Sequence, residues 1–423
     1  MSQLQHENKT FRQRTAHVYC YVSALMKWLI LAVLVGACGG VIGALFHIGV
    51  EEATLLREHR PWLLYLLPAA GLLITALYRL TGVYGVGTNA VLDAVQEGKK
   101  IPFPLLPAIF FGTILTHLCG GSAGREGAAL QMGGHIGRHV GQLLRMDDKD
   151  RRTATLCGMS ALFSALFGTP LTAAVFALEV VSVGALYYAA FVPCIVSALV
   201  AYGVSLAFGV HPTRFTIAVP GVDAMVLVRT AILAVLCAMV SILFCETLHR
   251  TEHLACHVKN PYLRAVVGGC VIIAATVVLG TTAYNGAGME VITEAVEQGQ
   301  AQPWDFVLKM LFTAVTIGCG FKGGEVVPTL FVGSTFGCAV APLLGLPAGF
   351  SGAIGMVAVF CGAVNCPMAS IILSIELFGA EGLSCFALAC AIGYMLSGYR
   401  GLYSSQTILY SKLKAEFINI RAK

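Results

Sequence analysis

Long apolar stretches alternate with short polar or glycine-rich breaks along nearly the whole chain. Residues 29–50, 61–80 and 185–208 reach the roughly 20 apolar residues that an α-helix needs to cross a bilayer. Residues 155–167 and 171–183 are too short to cross alone. The other apolar stretches are 103–118, 128–144, 226–244, 262–279, 306–316, 329–344, 352–364, 368–378 and 383–396, with a last segment from near residue 403 into the tail. The pattern predicts an all-α polytopic membrane protein with many tilted and half-crossing helices.

Composition strengthens this prediction. Hydrophobic residues make up 57% of the 423 residues and charged residues only 12%, against about 25% charged in soluble proteins. The 47 glycines fit helices that pack closely in lipid. The 15 cysteines show no C-x-x-C spacing, so neither a disulfide framework nor a zinc ribbon is predicted. The net charge of +5 is carried largely by the two ends, and no basic tract indicates nucleic-acid binding.

Basic residues at both ends predict the topology. Lys9, Arg12 and Arg14 precede the first apolar stretch, and Lys412 and Lys414 follow the last. Because basic flanks favour the cytoplasm, both termini are predicted to be cytoplasmic, with an even number of crossings of the cell inner (plasma) membrane. The predicted segments are an N-terminal tail (1–25), a membrane domain (26–411) and a C-terminal tail (412–423).

The second half of the chain echoes the first. Gly-Arg-Glu at 124–126 matches Gly-Gly-Glu at 323–325 with an offset of 325 − 126 = 199, and Glu179 matches Glu376 with an offset of 376 − 179 = 197. Matching interruptions in two halves indicate the binding site of a transporter. An odd number of crossings per half would invert the repeat. The predicted repeat halves are about 26–209 and 223–397.

The break at residues 120–127 (Gly-Gly-Ser-Ala-Gly-Arg-Glu-Gly) carries the main candidate chemistry. Its four glycines disfavour regular helix, and broken backbone at membrane depth persists only inside protein or beside a wet cavity. A helix start offers free N–H groups and a positive dipole end to an anion. We therefore predict an anion site that holds the carboxylate of Glu126. An extramembrane loop with a solvated pair of Arg125 and Glu126 is the alternative.

Four motifs together resemble the signatures of the CLC anion channels and transporters. They are Gly-Val-Gly-Thr-Asn at 85–89, Gly-Arg-Glu-Gly at 124–127, Gly-Gly-Glu-Val-Val-Pro at 323–328 and Gly-Leu-Tyr at 401–403. The second motif surrounds the gating glutamate of that family and the last carries its central-site tyrosine. Their order, together with the internal repeat, covers nearly the whole membrane domain.

Departures from the usual motifs resemble the fluoride/proton antiporter branch of this family. Val86 replaces a serine, Asn89 replaces a proline, and Glu325 is an additional acid. Val180 stands where chloride exchangers have the glutamate that relays protons from inside, and Val327 stands where some branch members have a hydroxyl residue.

The resemblance implies an anion/proton antiporter, most simply one that exports fluoride in exchange for protons. It implies a homodimer with one pathway per subunit, fluoride or chloride and protons as the transported species, no cofactor, no enzymatic activity and no CBS domains after Lys423. Glu126 would be the gating and proton-coupling residue, and Glu325 a second gate or proton site. The implied anion-binding residues are Val86, Gly87, Arg125, Glu126, Gly127, Glu325, Val326, Val327 and Tyr403.

The chemistry of Glu126 suggests how coupling would work. The carboxylate and the anion carry the same charge and need the same N–H donors, so they exclude each other, and protonation lets the side chain leave. The alternatives are an ion pair with Arg125 for Glu126, a helix-starting acid for Glu325, and an interfacial residue for Tyr403, with Tyr399 and Tyr410 nearby. The matching acids Glu179 and Glu376 are assigned first to repeat architecture and second to proton transfer.

Three other functions remain open. Chloride/proton exchange and a passive chloride channel would use the same scaffold. His-Arg-Thr-Glu-His at 249–253 fits the H-x-x-E-H pattern of zinc peptidases, but a third ligand is not evident. A solvated helix end is therefore preferred to a membrane metallopeptidase, and His135 and His139 are assigned to packing.

Overall fold

Sixteen α-helices form most of the described part of the chain in the computed structural model. The description covers residues 2–423, with side chains from residue 18 onward, so Met1 and the basic side chains predicted in the N-terminal tail up to residue 17 lie outside it. The helices are α1 (Ser2–His59), α2 (Leu67–Leu80), α3 (Thr88–Glu97), α4 (Leu105–Leu118), α5 (Glu126–Leu143), α6 (Asp148–Phe167), α7 (Pro170–Glu179), α8 (Phe191–Ala207), α9 (Ala224–Ala255), α10 (Pro261–Leu279), α11 (Met289–Thr293), α12 (Asp305–Gly318), α13 (Val326–Leu344), α14 (Ala348–Val364), α15 (Pro367–Phe378) and α16 (Leu383–Leu396). Short 3₁₀ segments at Pro61–Leu66 and Tyr188–Ala190 and a π turn at Glu294–Gln298 complete the helical structure.

Six helical segments of the described chain are long and apolar enough to cross a membrane. They are Val18–His59, Pro61–Leu80, Tyr188–Ala207, Ala224–Ala255, Pro261–Leu279 and Val326–Leu344. Shorter apolar helices, among them α4, α7, α14, α15 and α16, lie between them. The predicted multi-pass helical architecture with half-crossing helices is confirmed.

The two halves repeat the same run of helices. α5 and α13 begin 326 − 126 = 200 residues apart, and α6 and α14 begin 348 − 148 = 200 residues apart. In each half the first of these helices packs on the second. Before α5 and α13, Gly124 and Gly324 form an isolated antiparallel bridge, so the two loops meet as equivalents.

The helices α5 and α13 end at opposite faces of the molecule. Just after α5, the start of α6 lies beside the end of α3, where Arg152 donates to the Gln96 carbonyl at 2.8 Å. Gly345, after α13, accepts from Arg229 near the start of α9 at 2.7 Å. The other end of α9 pairs Glu246 with Arg400 close to the C-terminal segment. This inversion matches the predicted repeat, and we name the side with the end of α3 and the C-terminal segment the C-terminal face.

Glycines let the helices of each half touch backbone to backbone. A Cβ on Gly158 of α6 would overlap the carbonyl of Gly133 on α5, and one on Gly355 of α14 would overlap the carbonyl of Gly333 on α13. Small residues allow such close approach, which favours helix association in lipid. These contacts hold the helices whose N-termini build the candidate site.

The chain after Tyr403 departs from the all-α prediction. Strands β1 (Ser182–Val183), β2 (Thr407–Tyr410) and β3 (Phe417–Arg421) form a small sheet, parallel between β1 and β2 and antiparallel between β2 and β3. Residues 412–423, predicted as a C-terminal tail, therefore pack against the preceding segment, where the Lys423 N–H donates to the Tyr399 carbonyl at 2.9 Å. Their β-branched residues suit a strand, but strands of two to five residues give too little periodicity to be recognised before they pair.

Substitution of Gly158 by alanine tests the close packing of α5 on α6. The added methyl must displace backbone, and overpacking of this kind costs about 1–3 kcal/mol. We expect the G158A protein in detergent to lose its monodisperse chromatographic peak at a lower temperature than wild type. G203A on α8 is the matched control because a Cβ there meets nothing within 4 Å. If G158A, G203A and wild type all lost the monodisperse peak at the same temperature, the close packing of α5 on α6 would not limit stability.

Candidate functional site

Two glycine loops bring the starts of α5 and α13 side by side. The Gly124 N–H donates to the Gly324 carbonyl at 2.7 Å, and the Gly324 N–H donates back to the Gly124 carbonyl at 2.8 Å. Each loop leaves its preceding helix through a left-handed glycine, Gly120 with φ 81° and Gly320 with φ 100°. Only glycine adopts this backbone conformation without strain, so the loops can turn sharply and aim both helix N-termini at one place.

The carboxylate of Glu126 lies across the N-termini of both helices. Its Oε2 accepts the N–H of Arg125 at 2.9 Å and that of Val327 at 3.3 Å. The side chain is 0% exposed, and its Oε1 has no hydrogen-bond partner among the described residues. The solvated-loop alternative is therefore wrong. The Arg125 and Glu126 side chains form no ion pair with each other among the residues that the structure describes.

Glu325 lies immediately before α13, at the position that Arg125 occupies before α5. Its side chain caps no backbone N–H of that helix, which argues against a simple helix-starting acid. Its buried Oε2 has no partner in the described chain and lies close enough to Gly127 that a Cβ there would be 3.4 Å away. The carboxyl group of Glu325 thus lies beside the first turn of α5.

A cavity of about 520 Å³ runs from the C-terminal face to these loops. Four of the residues predicted for the site line it: Val86, Gly87, Glu325 and Tyr403. Tyr403 is 2% exposed, and its hydroxyl has no partner in the part of the chain that the structure describes. The cavity wall therefore includes an O–H donor and a carboxyl oxygen that no described group satisfies, whereas Glu126 does not line the cavity.

The other predicted anion ligands lie outside this cavity. Arg125 offers its backbone N–H to Glu126, but its side chain does not line the cavity. Gly127, Val326 and Val327 are buried at the helix starts and could offer only backbone groups. Among these, the Val327 N–H contacts Glu126 directly.

The register of the C-terminal tyrosines is clear in the structure. Tyr399 pairs its hydroxyl with Ser411 at 2.8 Å, and Tyr410 meets the ring of Phe417 edge to face at the surface. Neither lines the cavity, whereas Tyr403 does. Of these three C-terminal tyrosines, Tyr403 is therefore the one that an ion in the cavity would meet.

Comparison with known proteins identifies the family. The family model described as voltage gated chloride channel matches residues 71–398, which is most of the chain. The chain belongs to this family, the CLC family.

Two relatives from the CLC family are named for different ions. This chain is 39% identical over 401 residues to a chloride/fluoride channel protein of Pseudomonas syringae pv. tomato, covering 92% of this chain and 88% of the relative. It is 27% identical over 431 residues to an H(+)/Cl(−) exchange transporter of Vibrio vulnificus, covering 92% and 91% of the two chains.

Solved structures agree with the fold. A crystal structure of a CLC-type fluoride/proton antiporter superposes with a TM-score of 0.88 at 31% identity, over 91% of this chain and 98% of that one. A slow cyanobacterial Cl⁻/H⁺ antiporter shares the fold with a TM-score of 0.75 at 20% identity, over 88% of this chain and 94% of that one.

Glu179 and Glu376 link the two CLC repeats reciprocally. Both oxygens of Glu376 accept N–H groups from the first turn of α7 at 3.0 and 2.9 Å. Both oxygens of Glu179 accept from the first turn of α15 at 3.2 and 2.9 Å. Because every carboxylate oxygen is engaged at a helix start, these contacts support repeat architecture for the pair before proton transfer.

The H-x-x-E-H pattern lies in the last turns of α9. No group of three or more His, Cys, Asp or Glu side chains in the described chain could hold a metal ion. The rings of His253 and His257 meet edge to face at 5.4 Å. His135 and His139 stack at 3.9 Å, as their assignment to packing predicts. These contacts favour a helix end over a peptidase centre.

Lys309 supports the site, although the sequence analysis did not single it out. It is 0% exposed within α12 and donates to the carbonyls of Tyr284 at 3.2 Å and Gly286 at 2.7 Å. The Gly286 N–H in turn donates to the Gly121 carbonyl at 3.1 Å, in the loop that leads to Glu126. A lone lysine inside an apolar stretch is the signal that could have identified it.

Asn89 links the first glycine break to the segment that carries Tyr403. Its Nδ2 donates to the Ser404 hydroxyl at 3.0 Å, and its Oδ1 accepts the Ser405 N–H at 3.1 Å. In the sequence, Asn89 differs from the family proline at this position but gives no sign of its partners. Proline has no side chain that could make these two contacts.

Substitution of Lys309 by methionine tests its structural role. The carbonyls of Tyr284 and Gly286 lose their donor, at about 1–3 kcal/mol for each buried group left unsatisfied. We expect K309M to unfold at a lower temperature than wild type in detergent. K414M, which removes an exposed lysine, is the control and should match wild type. If K309M unfolded at the same temperature as wild type, the hydrogen bonds from the ammonium group to the two carbonyls would not contribute to stability.

Proposed function

We propose that the protein is a fluoride/proton antiporter in which Glu126 is both gate and proton carrier. One observation carries this proposal: the Glu126 carboxylate accepts N–H groups from the starts of two different helices. Those groups suit any small anion, so a transported ion must displace the carboxylate. Protonation cancels the charge of Glu126 and weakens its hold on the N–H groups. Anion and proton are then exchanged at one position.

Glu325 is the second proton site in this proposal. The position of the exchanger glutamate is Val180, whose carbonyl accepts from Gln406 at 3.0 Å and whose side chain cannot carry a proton. Glu325 instead lines the cavity from the C-terminal face, where water can reach it. The anion would be held by Tyr403, Val86, Gly87 and the N–H groups at the helix starts, including those of Arg125, Gly127, Val326 and Val327.

Fluoride is the proposed anion because two similar proteins are named for it. The Pseudomonas relative is a chloride/fluoride channel protein, and the antiporter with a TM-score of 0.88 exchanges fluoride and protons. The Vibrio relative, at 27% identity, is named for chloride and protons. Chloride/proton exchange is therefore the second candidate.

The orientation and assembly follow from charge and family. Lys99, Lys100 and Arg145 lie at or near the C-terminal face, and basic loops favour the cytoplasm. We therefore assign the C-terminal face and both termini to the cytoplasm, the protein to the inner membrane, and a homodimer as its state. Inward movement of protons would then drive fluoride out of the cell.

Efflux from proteoliposomes tests the exchange. Vesicles loaded with fluoride or chloride are followed with an ion electrode and a pH electrode together. We expect fluoride efflux accompanied by proton uptake, with chloride slower. Faster chloride efflux with proton uptake would favour the second candidate. Anion efflux without proton movement would indicate a channel and contradict antiport.

Substitution of Glu126 by glutamine tests the gate. Glutamine is neutral and cannot carry a proton, so we expect E126Q to abolish proton movement coupled to fluoride in the same assay. E381Q, which neutralises an exposed carboxylate, should behave as wild type. Proton movement that is unaltered in E126Q would refute the role of Glu126.

A further inference from the structure

Lys322 places an ammonium group in the cavity without a counter-ion. Its Nζ lies 4.3 Å from the ring centroid of Tyr78, a buried residue of α2. No ion pair or hydrogen bond among the described residues uses this Nζ. A ring face attracts a cation but accepts few of its N–H donors. Lys322 therefore lines the cavity with donor capacity to spare.

The other charged groups around Lys322 differ from it. Arg264 of α10 is engaged, because it donates to the Tyr84 hydroxyl at 2.6 Å and to the Cys256 sulfur at 3.4 Å. Glu252, in the last turns of α9, lies in the cavity wall together with His249 and Lys423. Glu325 lies three residues after Lys322 with a buried, unpartnered carboxyl oxygen.

We propose that Lys322 binds the transported anion in the cavity, and that protonation of Glu325 makes Lys322 available to it. This inference rests on the proposed function. When Glu325 is ionised, its charge offsets that of Lys322, and an entering anion gains little. When Glu325 takes up a proton, one of the two negative charges near Lys322 is removed, leaving that of Glu252, and the ammonium group attracts a small monovalent anion more strongly. No covalent bond changes; one proton adds to a carboxylate and one anion binds.

This arrangement removes a difficulty at the inner end of the pathway. A carboxylate next to an anion site repels the anion, so Glu325 alone would hinder uptake from the cytoplasm. With Lys322 present, a proton arriving on Glu325 from the far side opens a site for a cytoplasmic anion. At Glu126 the proton frees backbone N–H donors, and at Glu325 it removes a negative charge that opposes anion binding at Lys322, so protonation favours anion binding at both positions. A compact ammonium group also suits a small, tightly hydrated anion better than a guanidinium group.

Fluoride titrations of K322M and K322R test the inference. Methionine keeps the length of the side chain and removes its charge. In proteoliposomes we expect K322M to raise the fluoride concentration for half-maximal efflux about tenfold, the effect of losing one charged contact. The maximal rate and the proton-to-fluoride ratio should stay close to wild type, and K322R should fall between K322M and wild type. K100M, an exposed lysine outside the cavity, is the matched control.

The dependence on Glu325 requires a second comparison. In wild type, the fluoride concentration for half-maximal efflux should fall as pH is lowered. E325Q mimics the neutral, protonated acid, so its half-maximal fluoride concentration should be low at every pH. In the double variant E325Q/K322M, the fluoride concentration for half-maximal efflux should rise to that of K322M. The inference is overturned if K322M has the same half-maximal fluoride concentration as wild type, or if only its maximal efflux rate is lower.

Equilibrium binding separates this inference from the proposed function. Detergent-solubilised wild type and K322M are titrated calorimetrically with sodium fluoride, without any transport step. Weaker binding by K322M supports the role of Lys322, and equal affinities overturn it. A wild-type protein that moves no protons contradicts the antiport proposal alone, because the binding comparison still decides on Lys322.

Discussion

The structure depends on a buried carboxylate that backbone N–H groups hold at the N-termini of two helices. A buried charge is costly unless hydrogen bonds and nearby positive charge compensate it. The starts of α5 and α13 supply both to Glu126, and they can do so only because Gly124 and Gly324 bridge the two loops. Left-handed glycines and backbone contacts between α5 and α6 follow as requirements of the same arrangement. A site that holds a carboxylate by its charge can hold a small anion in its place.

The inverted repeat builds this site from equivalent segments of the two halves, but the side chains at equivalent positions differ. Ile109 of α4 and Lys309 of α12 are related by 309 − 109 = 200 residues. Ile109 lines the open cavity beside the first glycine break, whereas Lys309 binds the carbonyls of the corresponding break in the second half. The first glycine break therefore borders the cavity, whereas a buried ammonium group holds the second break in place. The reciprocal caps of Glu179 and Glu376 keep the two halves in register.

The polar groups of the molecule differ in how far the described residues satisfy them. Tyr403, Glu325 and Lys322 line the cavity with groups that those residues leave unsatisfied or unpaired. Every carboxylate oxygen of Glu179 and Glu376 is engaged at a helix start in the other half. Carboxyl groups with complete partners therefore join the repeats, whereas the unsatisfied carboxyl oxygen of Glu325 lies in the cavity wall.

The sequence by itself determined the membrane helices, the glycine breaks, the repeat, the family and Glu126 as the first residue of a helix. Hydropathy, glycine content and motif spacing act over a few residues, so they can be read locally. Tertiary structure decided which partners meet: the Val327 N–H that completes the position of Glu126 lies 201 residues away. It also selected Tyr403 over Tyr399, excluded the Arg125 side chain from the cavity, and paired the last residues as strands. These outcomes depend on distant packing, which no local pattern of residues encodes.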